Sequence, residues 1–196
     1  MLATTSTRNL AQAALYTALI ALGAFITVPL GPVPFTLQPL FVLLAGLTLG
    51  ARLGALSTVA YIVLGLVAPV YAGGTSGIGV LLGPTGGYLI GFVLAAAVAG
   101  ALGSTPRAST MRRVSAALAG LIPLYVLGAS WLALSLQVSD YRTILVGGVL
   151  QFLPLDVVKA VAAGVLAQAM LTSRRAAHSG ASDHSDLRSG DPADAG

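Results

Sequence analysis

What most constrains this chain is how little charge interrupts its long apolar runs. Seven of its sixteen charged residues lie after position 173, which leaves nine for the first 173 residues. A water-facing domain carries roughly 25% charged residues, several times that share. A soluble enzyme, a nucleic-acid-binding module and a disordered protein are therefore poor fits. About 20 apolar residues suffice to cross a bilayer as a helix. In lipid, backbone groups must find partners within their own segment, which favours helices. The pattern predicts an all-α polytopic membrane protein with six transmembrane helices, near 10–29, 35–50, 54–71, 87–103, 114–136 and 154–173. The first run exceeds a signal-peptide core, which spans roughly 7–15 residues, and so reads as a membrane helix. No internal repeat is visible.

The formal net charge is +4, and the basic residues stand singly at the ends of apolar segments rather than along a nucleic-acid-binding stripe. Arg8, Arg52, Arg107, Arg112, Arg113, Arg174 and Arg175 fall on one side of a six-span layout, and Arg142 alone on the other. The positive-inside rule then places both termini in the cytoplasm. The expected organisation is a cytoplasmic N-terminus (1–9), a membrane domain (10–173) and a disordered cytoplasmic tail (174–196), whose polar composition offers little to bury. Its two histidines, His178 and His184, read as incidental rather than as metal ligands. Between spans five and six, residues 137–153 suggest a short interfacial or re-entrant helix. Pro154 is expected to break it from the last span and to occupy that span's first turn, where its missing N–H is tolerated.

Asp156 and Lys159 are the only charged residues well inside an apolar span. A spacing of three places them on one helix face. Charge in lipid is expensive, so such residues line a cavity or a bundle interior and mark function more often than not. Lys159 can donate to a carbonyl or carboxylate, and Asp156 can accept N–H groups or hold Lys159 in place. A purely structural ion pair is the rival reading. Two uncharged outer loops are the next candidates. The stretch 31–38 (Gly-Pro-Val-Pro-Phe-Thr-Leu-Gln) is stiffened by proline and presents Thr36 and Gln38. The loop after span three carries Gly73 and Gly74 and leads to 83–88 (Gly-Pro-Thr-Gly-Gly-Tyr), where glycines let backbone approach a ligand. Tyr71 and Tyr88 are placed to enclose an apolar ligand or simply to pack. Ala14 and Ala18 form a small-residue pair on the first span, of the kind that lets helices approach closely. No Walker motif is present, so ATP hydrolysis by that route is excluded. Cysteine is absent and both histidines lie in the tail, so neither a thiolate nor a Ser–His–Asp site is in prospect and no catalytic or metal-binding residue is assigned.

Taken together and in this order, the 31–38 stretch, the glycine loop at 72–74, the 83–88 stretch and the Pro154, Asp156, Lys159 pattern resemble the BioY family, the biotin-binding S components of energy-coupling factor (ECF) transporters. The resemblance covers about residues 10–173. It implies a non-enzymatic biotin-capture subunit of the cytoplasmic membrane, with a pocket near the outer surface under the loops after spans one and three. Asp156, Lys159, Thr36, Gln38, Gly73, Gly74 and Tyr88 become the expected ligand-binding residues. The implied partners are a transmembrane coupling subunit, contacted through small alanines matching Ala14 and Ala18, and two ATPase subunits. Biotin is then the transported ligand, with no resident cofactor. The alternatives are an S component for another vitamin and a membrane scaffold subunit that transports nothing.

Overall fold

The computed structural model of the chain describes residues 7–189, with side chains through Ser173 except that of Tyr141. Helix α1 (Thr7–Phe25) leads into a two-stranded hairpin, β1 (Thr27–Val28) and β2 (Phe35–Thr36). The strands pair antiparallel, Thr27 opposite Thr36 and Val28 opposite Phe35. Pro29, Pro32 and Pro34 bring no N–H donors to this hairpin, which limits the ladder. Gly31 turns it at φ +97°, a conformation side chains disfavour. The Leu37 N–H then donates to the Gly23 carbonyl at 3.1 Å and returns the chain to the end of α1.

Helix α2 (Gln38–Leu49) begins with Pro39 in its first turn, where proline is best tolerated. One residue, Gly50 at φ +85°, separates it from α3 (Ala51–Val67). These two helices and α5 (Gly86–Gly103) meet through small residues. A Cβ on Gly46 would lie 2.2 Å from the Ala96 carbonyl oxygen, and one on Gly100 would lie 2.4 Å from the Ala51 nitrogen. Backbone approach of this kind is how helices gain packing energy in lipid, where no hydrophobic drive separates them from their solvent. The loop after α3 holds a short 3-10 turn at Ala72–Gly74 and a short helix, α4 (Ile78–Leu82).

Helix α6 (Thr110–Leu136) packs along α5 and carries Pro123 in its interior. At the α5–α6 connection the buried Arg113 donates to the Gly103 carbonyl at 2.7 Å, the Thr105 carbonyl at 3.2 Å and the Gln168 side chain at 2.8 Å. The first of these covers a carbonyl at the C-terminus of α5, where the helix itself supplies no donor. At the other end of α6, Asp140 caps α7 (Tyr141–Leu145), accepting from the N–H groups of Arg142 and Thr143 and from the Thr143 hydroxyl. These bonds, the Thr143 hydroxyl foremost, hold the exposed Asp140 carboxyl below the ordinary aspartate range.

A π-helical turn, Val146–Leu150, follows α7 and leads into α8 (Leu153–Ser189). Pro154 stands in the first turn of α8, where the sequence places it, and two turn residues precede that helix, with the Gln151 N–H reaching back to Val146 and the Phe152 N–H to Val149. Helix α8 runs on through 174–189. Residues 190–196 lie outside the described residues.

Among the described residues, three helical segments are long and apolar enough to cross a membrane: Gly86–Gly103, Thr110–Leu136 and Arg142–Ser173. Gln38–Leu49 and Ala51–Val67 are shorter apolar helices. Large apolar side chains such as Leu15, Val63, Ile122 and Val158 face outward while Ile20, Leu43, Leu47 and Leu124 fill the interior. Apolar residues on both surfaces suit a bundle that lipid surrounds.

Candidate functional site

Three loops converge on one end of the bundle: the β1–β2 hairpin, the 68–85 segment and the α7–α8 junction. Beneath them lies a cavity of about 70 Å³. Its floor is α8, which brings Asp156 and Lys159, with Phe152 from the turn before it; its walls include Phe92 from α5 and Leu124 and Tyr125 from α6. Most of the lining is aliphatic or aromatic, with a few polar groups at fixed positions, the usual make-up of a small-molecule site.

The polar centre is the Asp156–Lys159 pair. Lys159 Nζ lies 2.6 Å from Asp156 Oδ1, and both side chains are 6% exposed. The same ammonium donates to the Thr36 carbonyl at 2.5 Å and sits 3.6 Å from the centroid of the Phe35 ring, a cation–π contact. The Tyr125 hydroxyl donates to Asp156 Oδ2 at 2.6 Å. One turn of α8 therefore presents a paired charge that is hydrogen-bonded on both sides, the condition under which burial of charge is tolerated. Each carboxylate oxygen uses one of its acceptor directions and retains another.

Thr36 and Gln38 both line the cavity. The Thr36 hydroxyl donates to Gln38 Oε1 at 3.1 Å, and Gln38 Nε2 donates to the Tyr61 hydroxyl at 2.6 Å. Tyr61 in turn donates to the Val70 carbonyl at 3.2 Å. Tyr88 contributes its ring to the cavity and donates its hydroxyl to the Gly148 carbonyl at 2.7 Å in the π-turn. Gly128 makes room for that ring, since a Cβ there would fall 2.3 Å from it.

Gly73 and Gly74 do not line the cavity, although their neighbours Tyr71 and Ala72 do. Both adopt positive φ, +68° and +74°, so the chain doubles back and Tyr71 pairs with Thr75. The turn directs Tyr71 inward, where its hydroxyl donates to the Ile62 carbonyl at 2.6 Å and its ring meets that of Tyr61 edge-on, 5.7 Å between centroids. Ala14 and Ala18 lie on the exposed face of α1, away from the cavity.

Sequence reasoning passed over Phe35, Tyr61 and Tyr125. A tyrosine inside an apolar span carried a usable signal, because a buried phenol needs a hydrogen-bond partner. Nothing local named that partner: Tyr125 and Asp156 are 31 positions apart. Phe35 stood inside the proline-rich stretch, but its position over Lys159 depends on how the hairpin folds onto α8.

The fold and cavity define a multi-pass helical membrane protein with a mostly apolar cavity, centred on an ion pair, at one end of its bundle. The model of the BioY family matches residues 1–176. The biotin transporter BioY of Thermotoga maritima is 42% identical over 161 residues, covering 82% of this chain and 94% of that protein. A probable biotin transporter BioY of Pyrococcus horikoshii is likewise 42% identical, over 162 residues, with 82% and 94% covered. Among solved structures, the S component for biotin from an ECF-type ABC transporter superposes with a TM-score of 0.77 at 30% identity, covering 87% of this chain and 94% of that one. The chain belongs to the BioY family.

Proposed function

We propose that this protein captures biotin from outside the cell as the S component of an ECF transporter. The observation that carries the reading is the hydrogen-bonded Asp156–Lys159 pair set in an otherwise apolar cavity, in a chain whose relatives are named for biotin transport. Biotin presents a ureido ring with two N–H donors and one carbonyl acceptor, a thiophane ring and a valerate chain. Asp156 accepts a ureido N–H in the acceptor directions it retains. Lys159 turns from the Phe35 ring toward the ureido carbonyl. Tyr71, Tyr88 and Phe92 enclose the apolar parts, and the valerate carboxylate points toward the loops.

In this reading α1, α2, α3, α5, α6 and α8 as far as Ser173 make six spans of the cytoplasmic membrane, with both termini inside. Arg8, Arg52, Arg107, Arg112 and Arg113 gather at the end opposite the cavity, which supports an outward-facing pocket. The energy comes from a transmembrane coupling subunit and two ATPase subunits, with the exposed face at Ala14 and Ala18 as the contact. No resident cofactor takes part; biotin is cargo.

Equilibrium binding of biotin to the purified chain in detergent tests the function, with thiamine and riboflavin as controls. Tight, selective biotin binding is expected; a folded sample that prefers either control would replace the substrate. The lack of native cysteine makes topology simple to test. Ser139→Cys should react with an impermeant maleimide on intact cells, and Thr105→Cys only after permeabilisation. The reverse pattern would invert the orientation.

A further inference from the structure

Tyr61 lies outside the cavity lining and is fully buried in α3. Its hydroxyl nevertheless sits at the end of a hydrogen-bond relay that reaches the ion pair. Gln38 Nε2 donates to Tyr61, Gln38 Oε1 accepts from the Thr36 hydroxyl, and the Thr36 carbonyl accepts from Lys159. Two backbone groups set the direction of this relay. The Val70 carbonyl can only accept, so Tyr61 must donate to it and leave its oxygen to receive Gln38. The Gln38 N–H can only donate, at 3.3 Å to the Thr36 hydroxyl oxygen, so the Thr36 proton is left for Gln38 Oε1. An amide side chain is nearly symmetric in shape and can turn over by exchanging oxygen and nitrogen. The turned-over amide would set its oxygen against the Tyr61 oxygen, acceptor against acceptor, whereas the Thr36 oxygen keeps a second lone pair for Nε2, so the lock lies at Tyr61.

We infer that Tyr61 is a positioning residue for ligand recognition: it locks the Gln38 amide so that one N–H and one oxygen lone pair always face the cavity in the same order. The ligand edge that Gln38 meets must therefore carry the complementary acceptor and donor in a fixed arrangement, as a urea or amide does. Tyr61 also ties the hairpin side of the cavity to the Val70–Tyr71 side, since it bonds both. Without its hydroxyl the Thr36 oxygen can accept from Gln38 Nε2, and the amide populates both orientations.

The inference rests on the biotin reading, and the test separates the two. Biotin affinity is measured in detergent for the wild-type chain, Tyr61→Phe, Gln38→Met and the double variant, with melting temperature followed in parallel. Tyr61→Phe keeps the ring against Tyr71 and should weaken binding roughly tenfold, about one hydrogen bond's contribution. In the Gln38→Met background the same change should alter affinity by less than about twofold, because the amide it positions is gone. Equal losses in both backgrounds, or unchanged affinity in Tyr61→Phe, would overturn the inference. Should Tyr61→Phe not be recovered folded, Gln38→Glu, which puts an oxygen at both ends of the side chain, is measured instead; unchanged affinity there refutes the fixed donor–acceptor order equally. A wild-type chain that binds no biotin fails the functional reading instead.

Discussion

Replacing Lys159 with methionine removes a buried cation and keeps most of the side chain's length. Its ammonium serves Asp156 Oδ1 at 2.6 Å and the Thr36 carbonyl at 2.5 Å, with both ionic side chains 6% exposed. Stranding one member of a buried pair costs about 3–5 kcal/mol, and the orphaned carbonyl adds about 1 kcal/mol. Methionine packing against Phe35 returns about 1 kcal/mol, so a net loss near 4 kcal/mol is expected. In a chain of this size 1 kcal/mol corresponds to roughly 2–4 °C in melting temperature, so the drop should be about 8–16 °C. Removing both charges, as in Asp156→Leu with Lys159→Met, leaves only the Tyr125 hydroxyl and the Thr36 carbonyl without partners. At about 1 kcal/mol each, less the same methionine return of about 1 kcal/mol, the double variant should lose about a quarter as much as the single one. Neither variant should bind biotin. Thermal unfolding in detergent and equilibrium binding on the same samples decide the matter. A double variant as unstable as Lys159→Met would refute the stranded-charge reasoning, and retained affinity in either would remove the pair from the site.

Tyr125→Phe takes away the donor to Asp156 Oδ2 and should weaken biotin binding roughly tenfold with a loss of about 1–2 kcal/mol in stability; equilibrium titration alongside thermal unfolding reads both. Gly65→Ala would place a Cβ 2.1 Å from the Tyr71 ring, so the loop must shift and binding should fall by more than tenfold; normal affinity would show that Tyr71 is not needed where it stands. The Asp140 carboxyl is held low by its bonds to Thr143 and Arg142, so its ionised form favours the folded state. The cap on α7 is therefore complete above the unfolded-state range of aspartate and is lost as pH falls below it. Amide exchange at 142–145, corrected for intrinsic rates, should rise on acidification in the native chain, whereas Asp140→Ala should show that rapid exchange at every pH.

Some of this architecture was legible because it depends on nearest neighbours along the chain. The apolar runs predicted helices that the structure contains, and boundaries moved by a few residues where caps and turns intervened, except at the end of α8, which runs on to Ser189. Pro154 marked the start of the last helix, because its missing N–H is tolerated only in a first turn, and α8 begins at Leu153. Glycine was read by its frequency in a loop, whereas Gly73 and Gly74 act through positive φ and turn Tyr71 inward without lining the cavity themselves.

Asp156 and Lys159 were recognisable from the sequence alone, because two charges three positions apart in an apolar helix have few tolerable places to go. What surrounds them was not. The Thr36 carbonyl comes from 123 positions before Lys159, and the Tyr125 hydroxyl from 31 before Asp156. A backbone carbonyl carries no signature in its residue type, and a phenol announces only that it needs some partner. Composition and periodicity determined that the chain is solvated by lipid and that one helical turn bears an ion pair. The packing of the hairpin, α3 and α6 around that turn decided which atoms satisfy it, because those contacts join segments whose distance in sequence says nothing about their distance in space.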